Sequence, residues 1–270
     1  MPEIEPKDSS LKSLDGLHLW HAPMSSCSQR VRIALSETGK RFESHLVDLE
    51  KDQHATPEYQ AIHPKGLVPA LVDDGHLFIE SIDIIRQVAG ENSALAATND
   101  MELLKAGDEA QLDLKLLTFE FLFRAGPPPP KEIADSFQKN HQNEWLKQFR
   151  RDFAEGFSSD RIDAGVRRTR DGFQMLDERL SDGRPYLTGD AFTLADVTWM
   201  PNVHRFNLMG WPFERTPHLQ TWFSRVSDRP SYHDALLGWQ NEHAVGAFAS
   251  YTKKRRSEGS DIRAFGELTA

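Results

Sequence analysis

Ser25-Ser26-Cys27-Ser28-Gln29-Arg30-Val31-Arg32-Ile33-Ala34-Leu35 follows a short alternating run, Leu17-His18-Leu19-Trp20, and its reading decides the fold. Cys27, Val31, Ala34, Leu35 and Thr38 recur with helical period, so a strand, a loop and a helix are predicted in that order. Serine just before a helical stripe is an N-cap residue, because its short hydroxyl accepts from an orphan N–H of the first turn, and Gly39 supplies the stop. Hydroxyls, exposed amides and the positive end of a helix dipole, gathered at one point, stabilise an anion. A thiolate is such an anion, whether it belongs to Cys27 or to a bound thiol.

The pattern continues downstream. Residues 42–49 predict a second strand and 57–62 a short helix. Ala70-Leu71-Val72 and His76-Leu77-Phe78-Ile79 predict two strands, joined by the tight-hairpin signal Asp73-Asp74-Gly75. A helix opens at Ser81, with Ile82, Ile85, Val88 and Ala89 on one face, and stops at Gly90. This β-α-β-α-β-β-α order predicts a small mixed sheet flanked by helices. Pro69 enters a strand without an N–H to donate, and Val68-Pro69 is expected to be cis. Residues 1–16 carry little apolar pattern and are expected to be a flexible lead-in.

From Met101 onward strand signals vanish. An apolar stripe from Leu103 to Phe123 ends at Gly126, and Pro127 to Pro130 form a stiff connector. Trp145, Phe149, Phe153 and Phe157 recur every four residues, which is helix packing. Ile162, Val166, Thr169, Phe173, Leu176 and Leu180 form one inward helical face. Thr193 with Asp196 reads as a capping box, so Asp196 is a folding residue and not a catalytic acid.

Composition sets limits. A chain of 270 residues, 39% hydrophobic and 27% charged, is long enough for two domains. One cysteine excludes an internal disulfide and a multi-cysteine metal site, so no metal is expected, and a reducing, cytoplasmic setting is favoured. No apolar run approaches the ~20 residues that span a bilayer, so no membrane partner is expected. A net charge of −9 argues against nucleic acid, and the basic cluster Lys253-Lys254-Arg255-Arg256 reads as solvated tail.

The opening eleven residues resemble the serine-cysteine signature of zeta-class glutathione transferases and, more loosely, the Ser-x-Cys-Ser segment of glutathione-dependent reductive dehalogenases. The resemblance implies the fold of that family, an α/β thioredoxin-like N-terminal domain plus an all-α C-terminal domain, with glutathione as cosubstrate. On it, residues 17–92 are the glutathione-binding domain, 100–246 the helical substrate-binding domain and 247–270 a polar tail. Glutathione contacts carried over by the resemblance are Val68 and Pro69 at the Val-Pro turn, the pair Gln53-His54 for the glycyl carboxylate, and the pair Glu80-Ser81 for the γ-glutamyl end. Lys65 and Leu67 flank Gly66 as further candidates, although theta-like members often place the lysine one residue later. The segment from Tyr186 to Asp196 also resembles the family's helical half.

Ser25 is the first choice to hold the thiolate and Ser26 the second; Ser28 lies too far into the helix. Cys27 has two readings, inward packing or attack on a glutathionyl intermediate as in the dehalogenases. Trp20 and Met24, with Phe119, Phe123, Trp199 and Phe206, are the aromatic and soft candidates for substrate contact, alongside Trp211 and Trp239. The proline connector, the long 131–160 stretch, Lys139-Asn140 and Met175-Leu176-Asp177-Glu178 resemble bacterial β-aryl etherases that open lignin-derived ethers. The activity implied is glutathione transfer to a small aromatic electrophile, with β-aryl ether cleavage foremost. Reductive dehalogenation, isomerisation of a maleyl-type diacid held by Arg30, Arg32 or Arg124, and a glutathione-binding module without turnover are the alternatives. The family also implies a dimer, of identical or different subunits.

Overall fold

The computed structural model describes residues 3–97 and 100–268. They fall into two compact units, Met1–Ser93 with Pro128–Ala154, and Ala94–Pro127 with Glu155–Ala270. The first unit opens with β1 (Glu3–Ile4), β2 (Leu17–His21), α1 (Ser26–Glu37), β3 (Glu43–Leu46), α2 (Pro57–Ile62), β4 (Ala70–Asp73), β5 (His76–Phe78) and α3 (Ser81–Ala89). The sheet order is β1-β5-β4-β2-β3. Only β2 and β3 pair in parallel; the other neighbours are antiparallel.

Side chains alternate across the sheet, so its two faces carry different partners. One face is built from Leu11, Ala70, Val72, Leu77 and Ile79, with Trp20 and Ile62 packed against them. The opposite parity, Leu19 and Leu71, is fully buried, as are Val31, Ile33 and Ala34 of α1 and Ile84 and Ile85 of α3. The hairpin turns on Asp74 and Gly75, both at positive φ, 47° and 83°. Glycine is required there twice over, because a Cβ would also lie 2.6 Å from the Lys12 carbonyl oxygen.

That contact corrects the expected flexible lead-in. β1 pairs with β5, Leu11 is core at 3% exposure, and Gly16 donates its N–H to Asp74 at 2.7 Å. A single buried leucine and a two-residue strand leave no periodic signal, which is why 1–16 reads as loose.

The second unit begins with α4 (Met101–Glu109) and α5 (Gln111–Phe121), two helices where one was expected. The chain then returns to the first unit as α6 (Lys131–Asn140) and α7 (Glu144–Glu155). Residues 128–154 were expected within the helical domain. They dock instead through Gln60, whose amide donates to the Asn140 carbonyl at 3.1 Å and accepts from the Gln142 N–H at 3.0 Å. Arg150 adds an ion pair with Asp52 at 2.5 Å and lies 4.3 Å above the Phe137 ring. Phe137, His141 and Phe149 are buried by this docking.

The second unit resumes with α8 (Ser159–Leu180), α9 (Leu194–Leu208), α10 (Pro217–Ser227), α11 (Pro230–Ala235) and α12 (Glu242–Ser257). The predicted inward face of α8 is buried at all six positions. The polar tail is also corrected. Phe248, Ile262 and Leu268 are buried, and Arg255 leaves the basic cluster to bond Glu120 at 2.7 Å over the Phe121 ring. None of the helices, among the described residues, is long and apolar enough to cross a membrane.

The buried carboxylate of Asp196 anchors α9. It completes the capping box with Thr193, accepts from the Leu187 N–H at 3.0 Å and receives the Trp222 indole N–H at 2.8 Å. Burial pushes its pKa up, and these donors oppose that shift. Replacing Asp196 with alanine removes the acceptor of four donors, the Leu187 and Thr193 N–H groups, the Thr193 hydroxyl and the Trp222 indole, and about 3–5 kcal/mol of unfolding free energy should be lost in urea titrations. A loss under 1 kcal/mol would show that the network is dispensable.

Two buried histidines make stability depend on pH. His21 is held down to about 3, chiefly by burial and then by Arg32. His204, bonded to Tyr232 at 2.7 Å, is held down to about 3 by burial and by Arg205. Both are neutral in the folded chain, whereas the unfolded chain takes up protons near pH 6.5. Their contribution is therefore present above about pH 6.5 and lost as pH falls toward 3, at up to ~1.4 kcal/mol per pH unit for each. Unfolding free energies measured from pH 7 to 4 should fall accordingly, and His204→Gln should flatten the slope; a pH-independent profile would contradict the assignment.

Candidate active site

Register brings three loops to one end of the sheet. Trp20 lies opposite Ala70, so the loop leaving β2 sits beside the loop entering β4, and Leu71 opposite Phe78 sends the chain leaving β5 out at the same end. The first loop carries Ser25, the second Val68 and Pro69, the third Glu80 and Ser81. Helices α1 and α3 both start there, with their N–H ends toward the same region.

The loop before α1 is pinned from behind by Arg32. This fully buried guanidinium bonds His21 Nδ1 at 3.0 Å, the Ala22 carbonyl at 3.3 Å and the Pro23 carbonyl at 2.9 Å. Burial lowers its pKa to about 9, so it stays a cation at neutral pH. Ser28 is also buried, and its hydroxyl accepts from the Ala22 N–H at 3.3 Å. On this support Ser25 caps α1, its Oγ accepting from the Ser28 N–H at 3.2 Å. Accepting that bond leaves the hydroxyl its own proton to donate; Met24, Ser25, Ser26 and Cys27 are all partly exposed. Cys27, expected on the inward stripe with Val31, thus sits at the accessible edge of the first turn.

In the second loop Val68-Pro69 is cis, as expected. Tyr59, buried, donates its hydroxyl to the Leu67 carbonyl at 2.6 Å. Gly66 has φ 58°, and a Cβ there would meet His141 Nε2 at 2.7 Å. His141 Nδ1 accepts from the Asn143 N–H, which leaves Nε2–H to donate to the Gly66 carbonyl at 3.1 Å. Helix α6 thus closes over the loop from the outside.

At the third loop Ser81 is buried and receives a hydrogen bond from Arg30 Nη1 at 3.2 Å. Glu80 precedes it at φ 46°, a strained backbone for a residue with a side chain, and pairs with Lys65 at 2.5 Å. Arg30 and Arg32 were open to a solvated reading; both are at most 1% exposed. Sequence reasoning weighed Arg30 as a carboxylate holder for a diacid or a solvated helix face; what it missed is the contact with Ser81. The signal for it was the place of Arg30 one turn before Ala34 on the inward stripe.

Other candidates lie elsewhere. Gln53 is exposed, with its side-chain Oε1 accepting from the Asp48 N–H at 2.8 Å. His54 is buried, its ring 5.6 Å from Phe137 and 5.5 Å from His141, so the insertion roofs it and an open contact with a glycyl carboxylate is not its role in this packing. Trp20 is corrected as a substrate contact because it faces the side of the sheet away from α1, stacked on His45 at 4.3 Å. Trp199 and Phe206 are corrected as well. Each is 2% exposed, the indole bonded to the Leu103 carbonyl and Phe206 edge-on to Phe173 and Trp211. Within the second unit Phe119 and Phe123 remain partly exposed, in edge contact at 5.1 Å.

Comparison with known proteins agrees with this architecture. Residues 24–89 match the family model for the glutathione S-transferase N-terminal domain, and residues 159–225 that for the glutathione S-transferase C-terminal domain. Glutathione S-transferase Z2 of Arabidopsis thaliana is 28% identical over 228 residues, covering 82% of this chain and 90% of that protein. Glutathione S-transferase TCHQD of the same plant is 25% identical, covering 83% and 92%. Among solved structures, the β-etherase LigF from Sphingobium sp. strain SYK-6 superposes with a TM-score of 0.71 at 24% identity, over 82% of this chain and 99% of that one, which shows a shared fold. The chain belongs to the glutathione S-transferase family.

Proposed function

We propose that this glutathione S-transferase directs the thiolate of glutathione, the family's cosubstrate, onto a small aromatic ether and cleaves its β-aryl bond. The observation that carries the reading is the N-cap of α1. Ser25 accepts from Ser28 N–H at 3.2 Å and keeps a proton to donate to a sulfur at the positive helix end. An unperturbed thiol ionises near pH 8.5, and lowering that by about two units takes roughly 2.7 kcal/mol of anion stabilisation. One charge-assisted hydrogen bond with a helix terminus supplies that amount.

In this reading Ser81, with Arg30 behind it, receives the γ-glutamyl carboxylate, Glu80 faces the ammonium group, and Val68 offers backbone to the cysteinyl part. The thiolate displaces an aryloxy group from carbon. One C–S bond forms, one C–O bond breaks, and the phenolate leaves with the electron pair. A phenolate needs little acid help, so alignment and thiolate formation are the enzyme's main contributions. The partly exposed pair Phe119 and Phe123 supports an aromatic substrate. A dimer working in the cytoplasm completes the proposal.

Cys27 favours a second reading, because it is partly exposed beside Ser25. There its thiolate would attack the sulfur of a glutathionyl substrate: an S–S bond to glutathione forms, the C–S bond breaks with its electron pair going to carbon, and that carbon takes a proton from solvent to leave as the reduced product.

Calorimetry with glutathione tests the binding assignment: Ser81→Ala should weaken affinity by about 1–2 kcal/mol, and unchanged affinity would remove Ser81 from the site. Turnover of a model β-aryl ether tests the chemistry. Ser25→Ala should lose roughly ten-fold or more, while Cys27→Ala keeps most activity. If Cys27→Ala instead halts with glutathione attached to substrate, the thiol-exchange reading replaces the ether-cleaving one.

A further inference from the structure

On the sheet face opposite α1, the parallel pairing of β2 with β3 sets His18 beside Glu43 and Trp20 beside His45. His18 Nδ1 and His45 Nε2 are 3.0 Å apart, with Glu43 oxygens 3.7 Å from the first and 3.9 Å from the second. One donor atom from each residue lies within 4.8 Å of the other two. In a tetrahedral zinc site, metal–ligand bonds of about 2.0–2.1 Å put neighbouring donor atoms about 3.3 Å apart. The three groups stand close to that spacing already.

The histidine chemistry is an independent observation. His18 Nε2 lies 3.1 Å from the Asp15 carbonyl oxygen, which can only accept. The Nε2 proton is therefore committed there, and Nδ1 presents its lone pair toward His45 and Glu43. A ligating imidazole held by a backbone carbonyl through its other nitrogen is the usual support for a metal-bound histidine. The Trp20 ring, parallel to within 13° at 4.3 Å, fixes the plane of His45. The site is open: the Glu43 side chain is 66% exposed and that of His45 30%.

We propose that His18, Glu43 and His45 form a binding site for a divalent cation of the zinc type, held by His18 Nδ1, His45 Nε2 and a Glu43 carboxylate oxygen, with solvent filling the remaining position. Two imidazoles and one carboxylate suit zinc or its transition-metal neighbours and not calcium or magnesium. On binding, His45 moves its proton from Nε2 to Nδ1. The cation clips β3, an edge strand of four residues, to β2.

Zinc chloride titrated into chelator-treated full-length protein tests this, read by calorimetry and by thermal unfolding. One ion per chain should bind at micromolar concentration and raise the unfolding temperature. Glu43→Gln, at an exposed side chain, and His45→Ala, at a partly exposed one, should each weaken binding ten-fold or more. His76→Ala, on β5, should leave it unchanged. Absence of saturable binding, or binding that survives both substitutions, would overturn the proposal. Circular dichroism matching the parent protein establishes that each variant is folded, and failure of Glu43→Gln alone to weaken binding removes the carboxylate from the site.

Discussion

The Arg32 guanidinium is the constraint on which the loop of the candidate site rests. A buried cation without partners would cost several kcal/mol, and the chain meets that demand with two loop carbonyls and the neutral ring of His21. Satisfying the charge and shaping the loop are one event. Pro23 and Ala22 cannot move without exposing the guanidinium to an unsolvated interior. Ser25 is therefore presented by a loop with a single favourable path, and its capping bond to Ser28 follows from that path.

Much of this order was legible in the sequence, because it rests on local signals. The hairpin was readable from Asp73-Asp74-Gly75, since only such residues accept two successive positive φ values, and the buried face of α8 from its spacing of three and four. The capping box was visible because its two members are three residues apart in the chain. What sequence reasoning missed depends on long-range partners. Arg30 looks solvated until Ser81, fifty-one positions away, is placed beside it. Arg255 looks like tail until Glu120 reaches it. Trp199 and Phe206 look like ligand-facing aromatics, and only their packing neighbours make them core.

The same distinction explains the candidate site. The serine, the Val-Pro turn and the Glu-Ser pair are each short motifs, and sheet register alone gathers them at one end. His54 fails as an open contact for a non-local reason. Helix α6 arrives from more than eighty residues downstream and lays Phe137 and His141 against it.

That insertion has a consequence for how the chain is made. The first unit begins at the N-terminus but closes only when residues 128–154 return to it, after α4 and α5 have been laid down for the second. On a ribosome, Gln60 waits for the backbone of Asn140 and Gln142, and Asp52 for Arg150. The two units therefore cannot mature strictly one after the other, as separate beads on a string would. Exchange of one unit between relatives by a single splice would likewise leave the first without its cover, so the two halves are bound to be inherited, and to vary, together.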